Sequence, residues 1–494
     1  MRGDNLKKQF IKNAIILTAV SLFMRAVSFS FNVYIANKIS SSGVGLFALI
    51  MSVYNFGVTF AASGINLAST KVISEEIAQH KDTKAAVRKS LLYALFFGSA
   101  AFLLIYFGAQ FFANIVVGDA RIELPLKILS VSLPCVAMSF ALSGYFTATG
   151  KVYKNAIVQV IEQIIRIAGA VLLLNIGKIT SAQKACISLV LSGCAAEIIS
   201  FLILYIVYKT DDNTAVKSKS SNLKRRIMRY GLPVAISAYI RSALSTTEHT
   251  LIPKSLTRFS GDKEVALSAY GVVHGMVMPL VFLPSGVVSS VATLLIPEIT
   301  MLNSLKNYKR IDYLIERILF LTLTFSIGIA GILYFFSEEI GILFYKSKEA
   351  AYFLKQIAPL TAIMYADGVV DAVLKGLNQE VHAMRYDIVL SAVSIVLICT
   401  LIPVNGISGY ITIIYISEML NSYLSINRLM EVSNFKIRPF FWTVTPAAGV
   451  FFSCFISKNV TTHNLLSLIL CCVIYCLLMF LYNSCVKLYK RRAL

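Results

Sequence analysis

Charged side chains are scarce in this sequence of 494 residues. Asp, Glu, Lys and Arg together make up 14% of it, and hydrophobic residues make up 57%. Soluble domains carry about 25% charged and about 45–50% apolar residues, so the composition excludes a soluble globular protein. Apolar stretches long enough to cross a hydrocarbon layer of about 30 Å recur along the whole chain. The sequence therefore predicts an all-α polytopic membrane protein.

Several chemical signatures are also absent from the sequence. It contains no phosphate-binding GxxxxGK[ST] loop and no HExxH motif, and no polar stretch is large enough for an ATPase domain. The nine cysteines lie within or at the ends of apolar segments and lack the spacing to histidine that zinc sites need. We interpret them as small hydrophobic residues. We expect no cofactor, no metal and no enzymatic activity.

Apolar windows predict about 14 transmembrane helices. They lie at residues 13–36, 44–68, 90–116, 124–148, 155–176, 182–208, 230–252, 266–295, 317–340, 352–374, 386–404, 408–428, 439–457 and 464–486. The loops on the side of both termini hold 31 Lys and Arg residues, the opposite loops hold 12, and three lie within spans. Because cytoplasmic loops are enriched in Lys and Arg, both termini are predicted to be cytoplasmic. The net charge of +21 then reflects topology, and no nucleic acid partner is expected.

The chain is predicted to contain two similar halves. The segment AVSLFMR at 19–25 returns as AISAYIR at 235–241, and SGI at 63–65 returns as SGV at 285–287. The longest polar stretch, at 209–229, follows six spans and reads as a linker. The predicted domains are an N-terminal lobe at 1–208, the linker at 209–229, a C-terminal lobe at 230–430 and an appended helix pair with a tail at 431–494. Six spans in each lobe make this a parallel repeat.

Three arginines interrupt apolar helices at a similar depth. Arg25, Arg166 and Arg241 each lie 12 or 13 residues beyond a basic residue near the start of the span, roughly 18–20 Å of helix. A charge at membrane depth costs roughly 2.5–3.5 kcal/mol on insertion scales, and a guanidinium binds phosphate oxygens with two parallel hydrogen bonds. We therefore predict an anion-binding cavity. Glu162, four residues before Arg166, either shares that cavity or neutralises Arg166 so that the helix inserts.

Two aspartates form a second group. Asp367 and Asp371 lie one helical turn apart in the tenth span, and transporter carboxylates at such positions often bind a coupling cation or a proton. The alternative is a salt bridge between Asp371 and Lys375 near the cytoplasmic end. Glu197 and Glu418 are single acids in spans six and twelve, and either is a candidate to pair across helices with a cavity arginine.

Three segments of the chain resemble the stage V sporulation protein B family. They are QVIEQIIR at 159–166, LIPKSL at 251–256 and MPLVFLPS at 278–285, and the order of the chain between residues 10 and 430 is similar too. The family consists of polysaccharide-biosynthesis-type flippases of the multidrug/oligosaccharidyl-lipid/polysaccharide superfamily, and is related to the lipid II flippases. The resemblance implies two six-helix lobes around a cationic cavity that work by alternating access.

The resemblance also implies a cargo and a setting. The cargo would be an undecaprenyl-pyrophosphate-linked saccharide or a peptidoglycan precursor, moved across the bacterial cytoplasmic membrane for cell-wall, spore-cortex or polysaccharide synthesis. Arg25 would contact the pyrophosphate, cell-wall synthesis proteins would be partners, and the last two helices would form a groove for the polyprenyl chain.

Two other functions remain open from the sequence. A multidrug and toxin extrusion antiporter has the same architecture, but it usually has twelve spans and would need an acidic cavity for its cationic substrates, whereas the deep charges here are mostly basic. A non-transporting scaffold of a wall-synthesis complex is the second alternative.

Overall fold

The computed structural model describes residues 2–62, 64–176, 181–211, 222–435, 440–460 and 464–492. Within these ranges the backbone is almost entirely helical and forms no β-strand. The prediction of an all-α polytopic membrane protein is therefore confirmed.

The helices before residue 271 are numbered here in chain order. They are α1 (Arg2–Lys38), α2 (Ser41–Ala62), α3 (Ile65–Ala78), α4 (Thr83–Phe111), α5 (Glu123–Ser130), α6 (Leu133–Ala148), α7 (Val152–Ile176), α8 (Ala182–Lys209), α9 (Leu223–Ser260) and α10 (Lys263–Tyr270). A π-helix at Phe112–Val117 extends α4, and a 3-10 turn at Ala120–Ile122 precedes α5.

The remaining helices follow a π-helix at Gly271–Val277. They are α11 (Met278–Phe282), α12 (Ser285–Ser304), α13 (Tyr308–Phe335), α14 (Ser337–Tyr345), α15 (Lys348–Ile357), α16 (Thr361–Gly376), α17 (Glu380–Val432), α18 (Thr445–Val460) and α19 (Asn464–Arg492). A 3-10 turn at Ala358–Leu360 joins α15 to α16, and a π-helix at Phe440–Val444 precedes α18.

Polar side chains mark where several of these helices begin. The residue before the first turn accepts a backbone N–H with its side chain at Asp82, Ser181, Asp262, Asn307 and Ser347. Such caps satisfy donors that have no partner within the helix. They occur in the short polar segments between apolar stretches, so that the sequence itself determines where each helix starts.

Nine helical segments of the described residues are long and apolar enough to span a bilayer. A tenth is added if Ala120–Ser130 and Leu133–Ala148, bent by 46°, form one span. Among the described residues, the predicted spans fall mostly on helix. The predicted span at 266–295 is interrupted between α11 and α12, whereas a non-helical Gly406 divides α17 at the predicted boundary between the spans 386–404 and 408–428. The count of fourteen stays a prediction.

The chain divides into two compact units. Unit 1 contains residues 1–31, 38–271 and 398–406, and unit 2 contains 32–37, 272–397 and 407–494. The predicted linker at 209–229 lies within the sequence range of unit 1, with its residues 212–221 outside the described residues. The predicted lobe boundaries therefore stay predictions.

Unit 1 contains a hydrophobic cluster around the end of α3. Its largest members are Tyr145 and Phe146, both fully buried, which pack with residues of α3, α4, α8 and α9. Asp211, just after α8, accepts hydrogen bonds from Tyr145 and from the lysines at 151 and 154 at 2.6–2.8 Å. Burial raises the pKa of Asp211, but these three donors outweigh it and lower the pKa to about 2. The ionised carboxylate therefore fixes the end of α8 to the start of α7.

A glycine brings α3 and α9 of unit 1 close together. Gly64, between α2 and α3, has φ +74°, and a Cβ there would lie 2.2 Å from the carbonyl oxygen of Gly231. Only a residue without a side chain fits both this conformation and this contact. The corresponding motif at 285–287 begins α12 directly after another helix break. Both copies of the repeated motif thus lie where an apolar helix is interrupted.

Unit 2 contains the appended pair, α18 and α19, which packs on α13. A Cβ at Gly328 would lie 2.3 Å from the ring of Tyr475, and one at Gly331 would lie 2.6 Å from Val450. The Tyr475 hydroxyl donates to the carbonyl of Thr324 at 2.6 Å. Small residues allow close approach of membrane helices, so the glycines of α13 explain why the pair packs here.

Candidate functional site

A polar cavity of about 460 Å³ lies between α2 and α9 in unit 1. Three of its lining residues come from α2 and six from α9. They are Ser52, Asn55, Thr59, Ala238, Arg241, Ser242, Ser245, Thr246 and His249. All but Ala238 carry a hydrogen-bonding side chain, and the volume is within the range of about 300–1,000 Å³ typical of ligand sites.

Helical periodicity places these side chains on facing surfaces. On α2, the lining residues Ser52, Asn55 and Thr59 are spaced three and four residues apart, so they form one polar stripe on an apolar helix. On α9, the lining residues at 238, 241, 242, 245, 246 and 249 follow the same rule. The facing stripes make the cavity polar even though both helices are embedded in a largely apolar unit.

Direct contacts between α2 and α9 hold the two walls of the cavity. The Tyr239 ring stacks on Phe60 with centroids 5.0 Å apart, and its hydroxyl donates to the Phe60 carbonyl at 3.1 Å. Thr246 donates to the carbonyl of Ser52 at 3.3 Å. These contacts fix the register of Arg241 relative to the hydroxyl and amide groups of α2.

Arg241, one of the arginines singled out in the sequence, gives the cavity its permanent positive charge. It is the one lining residue that is always charged, and its side chain is exposed. The surrounding Ser, Thr and Asn groups supply further donors. A guanidinium beside several neutral donors suits an anion with several oxygens, such as a phosphate group. Arg241 is conspicuous in the sequence as a charge in an apolar segment, whereas the polar stripe on α2 is recognisable there only from the spacing of Ser52, Asn55 and Thr59.

Ion pairs and hydrogen bonds also connect the region at each end of α9 to other segments of unit 1. At its N-terminal end, Arg226 forms ion pairs with Glu75 and Glu76 of α3, and the Tyr230 hydroxyl donates to Glu75 at 2.9 Å. Glu76 is fully buried, so this contact fixes a charge inside the protein. None of these residues was singled out in the sequence, because the pairing joins positions about 150 residues apart.

Beyond the C-terminal end of α9, contacts join the first turn of α10 to the polar segment that precedes α5. Arg121 contacts Asp119 at 2.8 Å and Glu264 at 2.6 Å, and Lys263 contacts Asp119 at 3.3 Å. Burial raises the pKa of Asp119, but the hydrogen bonds from Arg121 outweigh it and leave the pKa below its usual value. Inside α9 itself lie two prolines, Pro233 and Pro253.

Arg166 does not line this cavity. Its guanidinium contacts Glu162 on the same helix at 2.5 Å and Glu197 on α8 at 3.6 Å. The i,i+4 contact with Glu162 and the contact across helices with Glu197, which the sequence suggested separately, are both present. Two acidic side chains therefore face the single guanidinium of Arg166 in this conformation.

Arg25 lies on the part of α1 that belongs to unit 1, and its side chain is exposed. One turn further along α1, Ser28 accepts a hydrogen bond from Gln163 of α7 at 3.3 Å. Arg25 and Arg166 thus each lie about one helical turn from the hydrogen bond that joins α1 to α7. Arg241 instead lines the cavity between α2 and α9. Roles in substrate binding for Arg25, Arg166 and Glu162 stay predictions.

In unit 2, Asp367 of α16 is buried, with 7% of its surface exposed. One of its oxygens accepts a hydrogen bond from the Asn421 amide of α17 at 2.6 Å. The other, Oδ1, is buried and has no hydrogen-bond partner among the described residues. Asp371 lies one turn further on and is partly exposed. The predicted pair of aspartates thus differs in burial, and Asp367 is the member enclosed by protein.

Comparisons with known proteins agree with this architecture. A multidrug resistance transporter of the MATE family, in its inward-facing conformation, superposes with a TM-score of 0.67 at 13% identity over 84% of this chain and 98% of that one. Lipid II flippase MurJ in its inward closed conformation superposes with a TM-score of 0.75 at 14% identity over 96% of this chain and 100% of that one. The class is therefore a polytopic membrane protein with the fold shared by flippases and transporters.

The chain belongs to the polysaccharide biosynthesis protein family, whose model matches residues 10–303. It is also similar to stage V sporulation protein B of Bacillus subtilis (strain 168), with 29% identity over 415 residues, which cover 82% of this chain and 80% of the relative. Lipid II flippase MurJ of the same organism is 21% identical over 461 residues, which cover 86% of this chain and 83% of that relative. Its name and those of the two structural neighbours are names of a flippase or a transporter, which agrees with the prediction that this protein is not an enzyme. The predicted family is confirmed.

Proposed function

We propose that this protein is a flippase for a lipid-linked anion, namely an undecaprenyl-pyrophosphate-linked saccharide or a lipid II-like peptidoglycan precursor. The observation that supports it most is the cavity between α2 and α9, where Arg241 lies among hydroxyl and amide groups. These groups match the needs of a pyrophosphate, which presents several charged oxygens. The name of the structural neighbour, a lipid II flippase, supports the same class of cargo.

The proposed transport cycle uses alternating access in the cytoplasmic membrane, with both termini cytoplasmic. Arg241 holds the pyrophosphate in the cavity, while Ser52, Asn55 and Thr59 replace water around its oxygens. Arg25 is proposed to meet the same group from α1 during entry or exit. The proposed partners are the lipid bilayer and proteins of cell-wall synthesis.

The charge of the cavity argues against an antiporter for organic cations. A cationic substrate would meet Arg241 as a like charge, which costs binding free energy in a partly desolvated site. The shared fold does not decide this point, because the MATE transporter and the lipid II flippase both superpose on the chain.

Reconstitution into vesicles tests the proposal. Wild-type protein should move a fluorescent or radiolabelled polyprenyl-pyrophosphate sugar between leaflets, and Arg241→Ala should reduce its apparent affinity roughly 10- to 150-fold, because a charged hydrogen-bonding partner contributes about 1.5–3 kcal/mol. Arg241→Lys keeps the charge but loses the planar fork and should fall between the two. Arg258→Ala removes an exposed arginine from the same helix and is the matched control.

Two outcomes would contradict the proposal. If the wild-type protein moves no lipid-linked pyrophosphate although it is folded, the scaffold alternative is favoured. If transport occurs but Arg241→Ala behaves like Arg258→Ala, the cavity between α2 and α9 is not where the anion binds.

For coupling to an ion gradient, we propose that Asp367 binds the ion or proton, with Asp371 nearby on the same helix. Burial of Asp367 and its oxygen without a hydrogen-bond partner among the described residues support this, since a buried carboxylate oxygen without a donor is costly. Asp367→Asn should make transport insensitive to imposed ion gradients. An unchanged gradient dependence in a folded Asp367→Asn variant would remove Asp367 from the coupling mechanism.

A further inference from the structure

Glu197 lies inside unit 1, away from the cavity described above. It belongs to the middle of α8, and 14% of its side chain is exposed. Its Oε1 faces Arg166 of α7 at 3.6 Å, and its Oε2 is hydrogen-bonded to the hydroxyl of Tyr54 on α2. Tyr54 is 2% exposed. The carboxyl group is thus held between three helices in a setting nearly free of solvent.

The contacts form a chain of oxygen atoms. From Glu197 Oε2 the chain passes to Tyr54 Oη, then to Ser132 Oγ at 2.9 Å, and from there to the carbonyl oxygen of Leu129 at 2.8 Å. The distances of 2.9 Å and 2.8 Å, from the Ser132 hydroxyl oxygen to its two neighbours, are within the range of O–H···O hydrogen bonds. Each of the three links therefore calls for a hydrogen atom between its oxygens.

The two hydroxyl groups supply only two hydrogens for these three links. If Glu197 is ionised, Tyr54 donates to it, and the single hydroxyl hydrogen of Ser132 serves only one of its three neighbours, Tyr54, Leu129 or Glu197 itself. One pair of oxygens then lies at hydrogen-bonding distance with no hydrogen between them, which is repulsive. A proton on Glu197 satisfies every link, because the carboxyl donates to Tyr54, Tyr54 donates to Ser132, and Ser132 donates to Leu129.

The charges around Arg166 also favour a protonated Glu197. Arg166 faces two carboxylates, Glu162 at 2.5 Å and Glu197 at 3.6 Å. With both ionised the group carries one net negative charge inside a membrane protein, where charge is expensive. With Glu197 protonated, Arg166 and the nearer Glu162 form a neutral ion pair.

We propose that Glu197 is a proton-binding group of the transport cycle, and that this conformation is its protonated state. The proposal rests on the transport function proposed above and adds the proton as a ligand of unit 1. On loading, the carboxylate takes up one proton from water; on release it returns that proton to water, and Tyr54 turns its hydrogen towards the carboxylate. Glu162, 24% exposed, provides the more accessible acid on the route to solvent.

The residues around the carboxyl come from α2, α6 and α7, which pack against α8, and from α8 itself. The titratable, charged and hydroxyl-bearing ones are Tyr54 from α2, Ser132 and Cys135 at the start of α6, Glu162 and Arg166 from α7, and Cys194 on α8 itself. Arg166 is the one cation of this group, and it is shared with Glu162. A change of charge at Glu197 therefore alters the electrostatic balance of α7 and of the contact between α2 and α8.

Infrared difference spectroscopy of the full-length protein in lipid tests the proposal directly. The wild type should show the stretching band of a protonated carboxyl near neutral pH, and the band should disappear as the pH is raised. Glu197→Gln should remove that band and Glu162→Gln should retain it. Tyr54→Phe removes the hydrogen-bond acceptor of the carboxyl and should shift its frequency, which provides a second readout if Glu197→Gln folds poorly.

Transport measurements on the same variants separate this proposal from the proposed function. A protonated-carboxyl band assigned to Glu197, in a protein that moves no lipid-linked pyrophosphate, would support the proton site and contradict the flippase. Transport by the wild type with a spectrum unchanged by Glu197→Gln and Tyr54→Phe would overturn the proton site and leave the flippase standing. If both hold, Glu197→Gln should transport with little dependence on an imposed pH gradient.

Discussion

Replacement of Arg226 by alanine should strongly destabilise unit 1. Arg226 connects α9 to α3 through Glu75 and Glu76, and it is itself 24% exposed. Glu76 has no exposed surface, whereas 36% of the Glu75 side chain is exposed. The substitution therefore removes the ion-pair partner of the Glu76 carboxylate, which water cannot reach, and that of the Glu75 carboxylate, which water can reach.

The expected loss comes mainly from Glu76. Removing one partner of a buried ion pair costs about 3–5 kcal/mol, whereas an exposed pair contributes about 0–1 kcal/mol. Because Arg226 is partly accessible, we expect the lower value, about 3 kcal/mol, which is roughly a 100-fold change in the unfolding equilibrium constant. Glu75→Ala should cost less than about 1 kcal/mol, since Arg226 keeps Glu76 as a partner.

The assay is unfolding of the purified protein in mixed micelles with increasing denaturing detergent, monitored by circular dichroism. Arg225→Ala is the matched control, because this neighbouring arginine on the same turn is exposed. The double variant Arg226→Ala/Glu76→Gln should recover part of the lost stability by removing the buried charge. Equal midpoints for Arg226→Ala and Arg225→Ala would refute the reasoning.

Two further predictions concern the backbone contact of Gly64 and the largely buried carboxylate of Asp211. Gly64→Ala should lower the melting temperature more than Gly150→Ala does. Both glycines have positive φ, but only at Gly64 would a Cβ meet a backbone carbonyl. Equal effects of the two substitutions would mean that backbone strain alone causes the loss. For Asp211, the pKa of about 2 lies below the value of about 3.9 in an unfolded chain, so its stabilisation is complete above pH about 4 and is lost as the pH falls through about 2. The melting temperature of the wild type should therefore fall more over this interval than that of Asp211→Asn, and parallel curves would contradict this role.

The arrangement of helices follows from local properties of the sequence to a large extent. Apolar windows located helical segments because burial of backbone polar groups in a membrane leaves the helix as the main solution. Breaks were harder to locate. The interruption between α11 and α12 depends on the backbone near Pro284 and falls inside one predicted span, whereas the non-helical Gly406 lies at the predicted boundary between the spans 386–404 and 408–428.

The candidate site was predictable where its signal lies within one helix. Arg241 is conspicuous because a charge in an apolar segment costs free energy on insertion into the membrane. The pairing of Glu162 with Arg166 follows from their spacing of four residues. Contacts between distant segments depend on how helices pack. The hydrogen bond from Asn421 to Asp367 and the ion pair of Arg226 with Glu76 are of this kind, and a single sequence contains no periodic pattern that joins their partners.

The attachment of α9 at both ends limits the movements that change the width of the cavity. Ion pairs hold the N-terminal end of α9 to α3, and beyond its C-terminal end further ion pairs hold the start of α10 to the segment before α5. The helix therefore cannot tilt as a rigid rod within unit 1 without breaking one of these two groups of ion pairs. Pro233 and Pro253 each remove one N–H from its hydrogen-bond ladder, and they enclose the segment that contains Arg241. We therefore expect α9 to bend at the two prolines, and such bending would change the distance from Arg241 to the hydroxyl groups of α2.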